Sequence, residues 1–245
     1  MFFLNKKKIP LTEFFKPTFV DIHSHLLPGI DDGAKDLDDA IGLITKMSSY
    51  GITNFITTPH VMGELYPNSS EIILEKLALV NTELKNKGLT HISIAAAAEY
   101  MLDEQFMDRL EKNDILTLKD NFILVEMSFA NPPLNLFEMI FEIQLKGYKP
   151  ILAHPERYGF YHNDLNKYYK LKKAGCLFQL NLLSLSFNYG KGVQKASFDL
   201  LKNNLYDFVG SDTHHVNHLN LFNEINTKKN YDLIHHLIEK NSSFL

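Results

Sequence analysis

The chain has 245 residues, a formal net charge of −4 with histidine neutral, 45% hydrophobic residues and a single cysteine. That length suits one large domain, near the roughly 250 residues of a β/α barrel, with ample chain for a sizeable core. The charge argues against gripping nucleic acid or membrane by bulk positive potential. The lone Cys176 excludes an internal disulfide, and no apolar run reaches the roughly 20 residues of a membrane span.

Residues 1–17 read as a peripheral N-terminal extension with aromatic anchors, and residues 18–245 as a single catalytic domain. Met1 to Leu4 precede Lys6 to Lys8, the reverse of the order in a secretion signal, so a cytoplasmic protein is expected. Strand-like runs then fall at Phe19–Ile22, Ile52–Thr57, Ile92–Ala98, Phe122–Met127, Pro150–Ala153, Leu177–Asn181 and Asp207–Gly210. Most are continuously apolar, as buried parallel strands are. Amphipathic stretches near Asp36–Ser49, Ser70–Lys87, Asp103–Lys112, Leu136–Lys146, Asp164–Ala174 and Val193–Asn203 supply crossover helices, and the polar region after Asn217 also reads as helical. Seven β/α units indicate an α/β fold, a single distorted seven-stranded (β/α) barrel, rather than a doubly wound sheet, because no Gly-rich phosphate loop follows any strand.

Active sites of such barrels lie at the C-terminal strand ends. The first run ends in His23 and His25, which point the same way in an extended chain, and a turn at Pro28-Gly29 then brings up Asp31-Asp32. Later runs end in His60, Glu99, Glu126, His154-Pro-Glu-Arg157, Asn181 and Asp212-Thr-His214. Each has an ordinary alternative: a loop histidine for His60, carboxylates at helix N-termini for Glu99 and Glu126, an N-cap for Asp212. Their recurrence at one end of one barrel favours a metal centre.

His23, His25, Asp32, His60, Glu99, Glu126, His154, Asp212 and His214 make nine candidate ligands. One ion takes about four to six, so two or three divalent ions are implied, in a nitrogen/oxygen site suited to Mn, Fe or Zn. Three such ions would outweigh the carboxylates and form an anion trap, with phosphate the obvious anion. Arg157, at the same mouth, is placed to grip phosphate oxygens; its structural alternative is an ion pair with Glu156. Tyr66, Phe129, Pro132, Pro133, Tyr158, Phe187 and Tyr189 are candidate rim residues that suit a phenyl ring.

These motifs — Asp21-Ile-His-Ser-His25, Pro28-Gly-Ile-Asp-Asp-Gly33, Thr58-Pro-His60, Ala98-Glu99, His154-Pro-Glu-Arg-Tyr158 and Gly210-Ser-Asp-Thr-His214 — closely resemble the polymerase-and-histidinol-phosphatase (PHP) superfamily. Within it, the chain resembles the bacterial PHP-type protein-tyrosine phosphatases of capsule and exopolysaccharide synthesis, from about Val20 to His214. The resemblance implies a PHP-type distorted barrel, a trinuclear centre often supported by Mn2+, the same nine ligands with Asp32 preferred over Asp31, and a catalytic Arg157. It also implies a phosphotyrosine-protein substrate, typically the Tyr-rich tail of a membrane-associated bacterial tyrosine autokinase. Val61 stands where some relatives have a second His, and Leu219 where some have an Arg, with His215 and His218 close by.

The expected reaction is direct attack on phosphorus by a metal-activated water, with no phospho-cysteine. The alternatives are a PHP phosphatase of a small phosphomonoester such as histidinol phosphate, a metal-dependent deoxyribonuclease or amidohydrolase, and a non-catalytic metal-bound interaction module.

Overall fold

A computed structural model describes residues 7–245; the Met1 to Lys6 part of the N-terminal reading lies outside them. The described part of the first 17 residues is anchored rather than loose. Helix α1 (Leu11–Phe14) buries Leu11 and Phe14, and Phe15 stacks near Phe19 and Phe222. Each such fully buried phenyl contributes about 1.5–3 kcal/mol of hydrophobic stabilisation.

The chain then alternates as its periodicity predicts. Strand β1 (Val20–Asp21) precedes helix α2 (Leu37–Ser49). That helix begins where Asp36 accepts a hydrogen bond from the Asp39 amide, and it buries Ile41, Ile44 and Met47 on one face. Strands β2 (Asn54–Thr57) and β3 (His60–Val61) lead to α3 (Ser70–Asn86), which Ser69 caps. Strands β4 (Ser93–Ala96) and β5 (Glu99–Met101) lead to α4 (Glu104–Lys112), capped by Asp103. Then come β6 (Phe122–Glu126), α5 (Leu136–Leu145), β7 (Lys149–Ala153) and α6 (Leu165–Lys173). The chain continues through β8 (Leu177–Asn181), α7 (Gly190–Lys202), β9 (Phe208–Gly210), α8 (Val216–Ile225) and α9 (Lys228–Lys240).

All strand pairs between these elements are parallel, in two sheets of order β1-β2-β4 and β3-β5-β6-β7-β8-β9. The sheets join where two strand-like runs break. Pro59 has no N–H, so the ladder lapses between β2 and β3, and the neighbouring run lapses between β4 and β5. The Ala97 amide to Thr57 O and the Glu99 amide to Pro59 O carry the pairing across the gap. The last strand returns to the first through His25 N–Thr213 O at 2.9 Å and Asp212 N–His23 O at 2.7 Å. The result is a distorted barrel.

Alternation along the strands explains why the site is polar and the interior apolar. On β6, Ile123 and Val125 join the main core facing the helices, whereas Leu124 joins the inner cluster with Val20, Ile56, Ile151, Ala153 and Phe208. Glu126, one step further on the same face, ends the run at the mouth. Strand β8 repeats the design with Leu177, Gln179 and Asn181. The inner cluster is closed by Phe244, which packs on Phe122 and Phe208.

Candidate metal centre

All nine predicted ligands converge at this mouth, in four overlapping groups of mutually close donor atoms. His25, Asp32, His60 and His214 form the outermost; His23, His154 and Asp212 form another; Glu99 joins His23 with His25, and His60 with Glu126. Asp32 is about half exposed, whereas Glu99, Glu126, Asp212, His23, His25 and His154 are buried.

The histidine tautomers are set from behind. His23 Nδ1 donates to Gln179 Oε1 at 2.8 Å, and His25 Nδ1 donates to Asp31 Oδ2 at 2.7 Å. His214 Nδ1 donates to the Asp212 carbonyl at 2.9 Å. Each bond leaves Nε2 with its lone pair facing the cluster. Asp31, the carboxylate passed over in favour of Asp32, is therefore an orienting group, and it also accepts from the Gly33 and His60 amides. Gly33 is required by close approach, since a Cβ there would lie 2.3 Å from His25 O. His154 and Asp212 both adopt left-handed backbone, with φ of 35° and 50°. Strain of that kind costs about 1–3 kcal/mol per residue and is characteristic of functional sites.

The donor atoms fit metal ions better than they fit one another. His23 Nε2 and His25 Nε2 face each other at 3.4 Å, and both lie close to Glu99 Oε2, at 3.1 and 3.4 Å. Buried Glu99 Oε2, Glu126 Oε1, His60 Nδ1 and His154 Nδ1 have no hydrogen-bond partner among the described residues. His60 Nδ1 and Glu126 Oε1 are 2.9 Å apart yet lack hydrogen-bond geometry. Unpartnered buried donors are costly in a native protein, and co-ligands of a shared cation meet in this way.

Electrostatics points the same way. Burial would lower the pKa of His23, but the Glu99 and Asp212 charges overcome it and push it up to about 9. Burial works against ionisation of Asp212, yet His23, His214 and Arg157 hold it well below the usual carboxylate range. The nearby His214 and His60 imidazoles pull Asp32 down to about 2 despite its partial burial. Burial, then the Arg157 charge, lowers His154 to about 4, so its imidazole is neutral and ready to ligate. The cluster draws positive charge, and binding cations there must displace protons.

Arg157 lines the mouth. Its Nη1 donates to Asp212 Oδ2 at 2.8 Å, while Asn181 Nδ2 donates to the same oxygen at 2.6 Å. The guanidinium sits between two aromatic faces, 4.7 Å from the Phe129 ring centre and 4.4 Å from that of Tyr189. Glu156 is not its partner: that carboxylate turns inward and accepts from the Asn181 amide and the Tyr206 hydroxyl. The cleft above has a volume of about 290 Å³ and is walled by Phe129, Tyr189, Arg157, His215 and His218 besides six of the candidate ligands.

The rim expectations are corrected at Tyr158, Phe187 and Pro133. Tyr158 is fully buried, with its hydroxyl accepting the Met127 amide, because it packs beneath Phe129 and His154. Phe187 is exposed but borders a different hollow with Phe198 and Lys229. Tyr66 stacks on His60 at the edge, and Pro133 belongs to a second groove. Leu219 is buried, so only His215 and His218 of that segment reach the cleft. Sequence reasoning missed Gln179, although a polar residue two positions before Asn181 in an apolar strand is a readable signal.

A family model described as capsular polysaccharide synthesis, CpsB/CapC, matches residues 19–242. CapC of Staphylococcus aureus is 30% identical over 221 residues, covering 87% of this chain and 86% of that protein. The tyrosine-protein phosphatase YwqE of Bacillus subtilis is 32% identical over 198 residues, covering 80% and 78%. A solved structure from work on YwqE and CpsB of Streptococcus pneumoniae, described as unique metal-dependent tyrosine phosphatases, superposes with a TM-score of 0.81 at 29% identity, covering 92% of this chain and 94% of that one. Histidinol phosphate phosphatase of Lactococcus lactis shares the fold, with a TM-score of 0.54 at 14% identity over 91% of this chain and 94% of that one.

Proposed function

The chain belongs to the capsular polysaccharide synthesis CpsB/CapC family, and from that premise we propose that it is a metal-dependent tyrosine-protein phosphatase acting at the strand-end cluster. The observation that carries this reading is the Arg157 guanidinium, held by Asp212 and flanked by Phe129 and Tyr189, directly over nine converging His, Asp and Glu side chains. Its ligands are His23, His25, Asp32, His60, Glu99, Glu126, His154, Asp212 and His214. They hold two or three divalent ions, with Mn2+ favoured over Fe or Zn.

Bound divalent ions supply Lewis-acid stabilisation of phosphoryl oxygens and acidify the attacking water. Arg157 donates to phosphoryl oxygens with the N–H groups not committed to Asp212, and the two flanking rings fix its direction. Phe129 and Tyr189 offer apolar faces to the phenyl ring of the substrate. A phenolate of pKa about 10 leaves with less protonation than an alkoxide needs. Cys176 takes no part: burial pushes its thiol up to about 12, and it lies in the core away from the cleft.

The substrate class is a phosphotyrosine protein, and the Tyr-rich tail of a membrane-associated tyrosine kinase is the partner we assign, with the phosphatase itself acting in the cytoplasm. Among the described residues, no helix is long and apolar enough to cross a membrane. The test is phosphate release from a phosphotyrosine peptide, a phosphoserine peptide and histidinol phosphate, each with and without added Mn2+. Metal-dependent release confined to phosphotyrosine is the expected result. Preferential release from histidinol phosphate would replace the protein substrate with a small phosphomonoester.

A further inference from the structure

Beside the metal cleft lies a larger groove, about 670 Å³, between the segments that follow β5 and β6. Its apolar lining is Leu102, Met107, Pro133 and Met139, with Leu134 fully exposed at its lip. Its lining adjoins that of the cleft at two places along the chain. The Leu102 amide donates to the carbonyl of Glu126 at 2.9 Å. The loop that carries Phe129 into the cleft runs on directly to Pro133 and Leu134.

The walls say what the groove takes. Glu104 and Asp108 are exposed, one helical turn apart on α4, and both line it. The nearest basic side chain of that helix is committed elsewhere, since Arg109 pairs with Asp114 at 2.8 Å and donates to Asn68 O. The adjoining hollow shares Met107 and Asp108 and adds Glu111 and Glu142; its Lys146 donates to the Glu111 carbonyl. Among the described residues no basic side chain lines the groove itself, and an apolar floor with acidic walls repels nucleic acid and anionic membrane and complements a polypeptide bearing an apolar side chain beside Lys or Arg.

We propose that this groove binds the segment of the substrate polypeptide that flanks the phosphotyrosine, selecting a basic residue next to an apolar one. The inference rests on the phosphotyrosine reading of the neighbouring cleft. An extended chain advances about 3.3 Å per residue, so residues flanking the phosphotyrosine are the ones that reach a neighbouring groove.

The experiment compares phosphotyrosine peptides with a Lys-Leu pair a few residues to either side against peptides with Glu-Gly there, using wild type and E104K/D108K. Rates are normalised to each protein's turnover of p-nitrophenyl phosphate, which has no flanking chain. Wild type should favour the Lys-Leu peptides in kcat/KM by about tenfold, mainly through KM, and the double variant should lose that preference. Equal rates on both peptides in wild type, or a preference that survives the double substitution, would overturn the proposal. So would a wild-type dimer that the double variant splits, which would give the groove to a second copy of the chain. Failure of every phosphoester to react would instead strike the phosphatase reading. Fluorescence anisotropy of a labelled Lys-Leu peptide would still decide the groove, by binding wild type more tightly than E104K/D108K or equally to both.

Discussion

Among the buried carboxylates near the barrel mouth, two pairs contrast. Glu99 and Asp212 face imidazoles and a guanidinium, while Asp21 and Glu156 face neutral donors. Burial opposes ionisation of all four. In the first pair the neighbouring positive charges win, and both pKa values fall well below the usual range. In the second pair burial wins over hydrogen bonds from Ser211, Tyr206 and Asn181, and over the His23 charge near Asp21, lifting Asp21 to about 6 and Glu156 to about 7. Burial alone therefore does not mark a ligand. What faces the carboxylate separates the pairs: the first lies among donor atoms that could hold cations, while the second braces the strand ends that present them.

The sharpest way to break this distinction is Glu99→Gln. It removes the oxygen around which His23, His25 and His60 gather, and should abolish stoichiometric metal binding and lower kcat by at least about 10³-fold, read by elemental analysis and phosphate release. Arg157→Ala should lower kcat by about 10²- to 10³-fold while leaving metal content intact, which separates charge stabilisation from ligation. Gln179→Ala removes the acceptor that fixes the His23 tautomer, so metal affinity should weaken about 10- to 100-fold and excess metal should restore turnover. Glu156→Gln should have the smallest effect: full metal content, turnover within about threefold of wild type, and a Tm lower by a few degrees as one buried hydrogen bond is lost. Loss of metal in Glu156→Gln would collapse the distinction between the two pairs.

The strand and helix order was legible because continuous apolar runs alternate with amphipathic ones, and because Asp36, Ser69, Asp103 and Asp164 announce their helices as N-caps. The positions that converge at the mouth were legible for a related reason: His23, Glu99, Glu126 and His154 are the first polar residues after apolar runs, and the others follow in the loops just beyond such runs. The interruptions after Thr57 and Ala96 were not, since a proline and a run of alanines leave the direction of the chain open. Nor was the split between Asp31 and Asp32 legible from spacing alone. Adjacent carboxylates on a turn differ only in which way they point, and here one reaches behind His25 while the other reaches out toward His60 and His214. Tyr158 was misplaced because an aromatic residue beside a catalytic motif reads the same whether it borders the cleft or lies under it. The loops after β5 and β6 gave no signal of a groove, because it arises from the packing of two segments that are distant along the chain.

The most direct test of the central claim follows metal content and phosphotyrosine hydrolysis in one sample through chelation and stepwise return of Mn2+. The account predicts two or three ions per chain in the active protein, loss of turnover as they are removed, and recovery in proportion to the ions restored. Full turnover in a sample stripped of metal would contradict it.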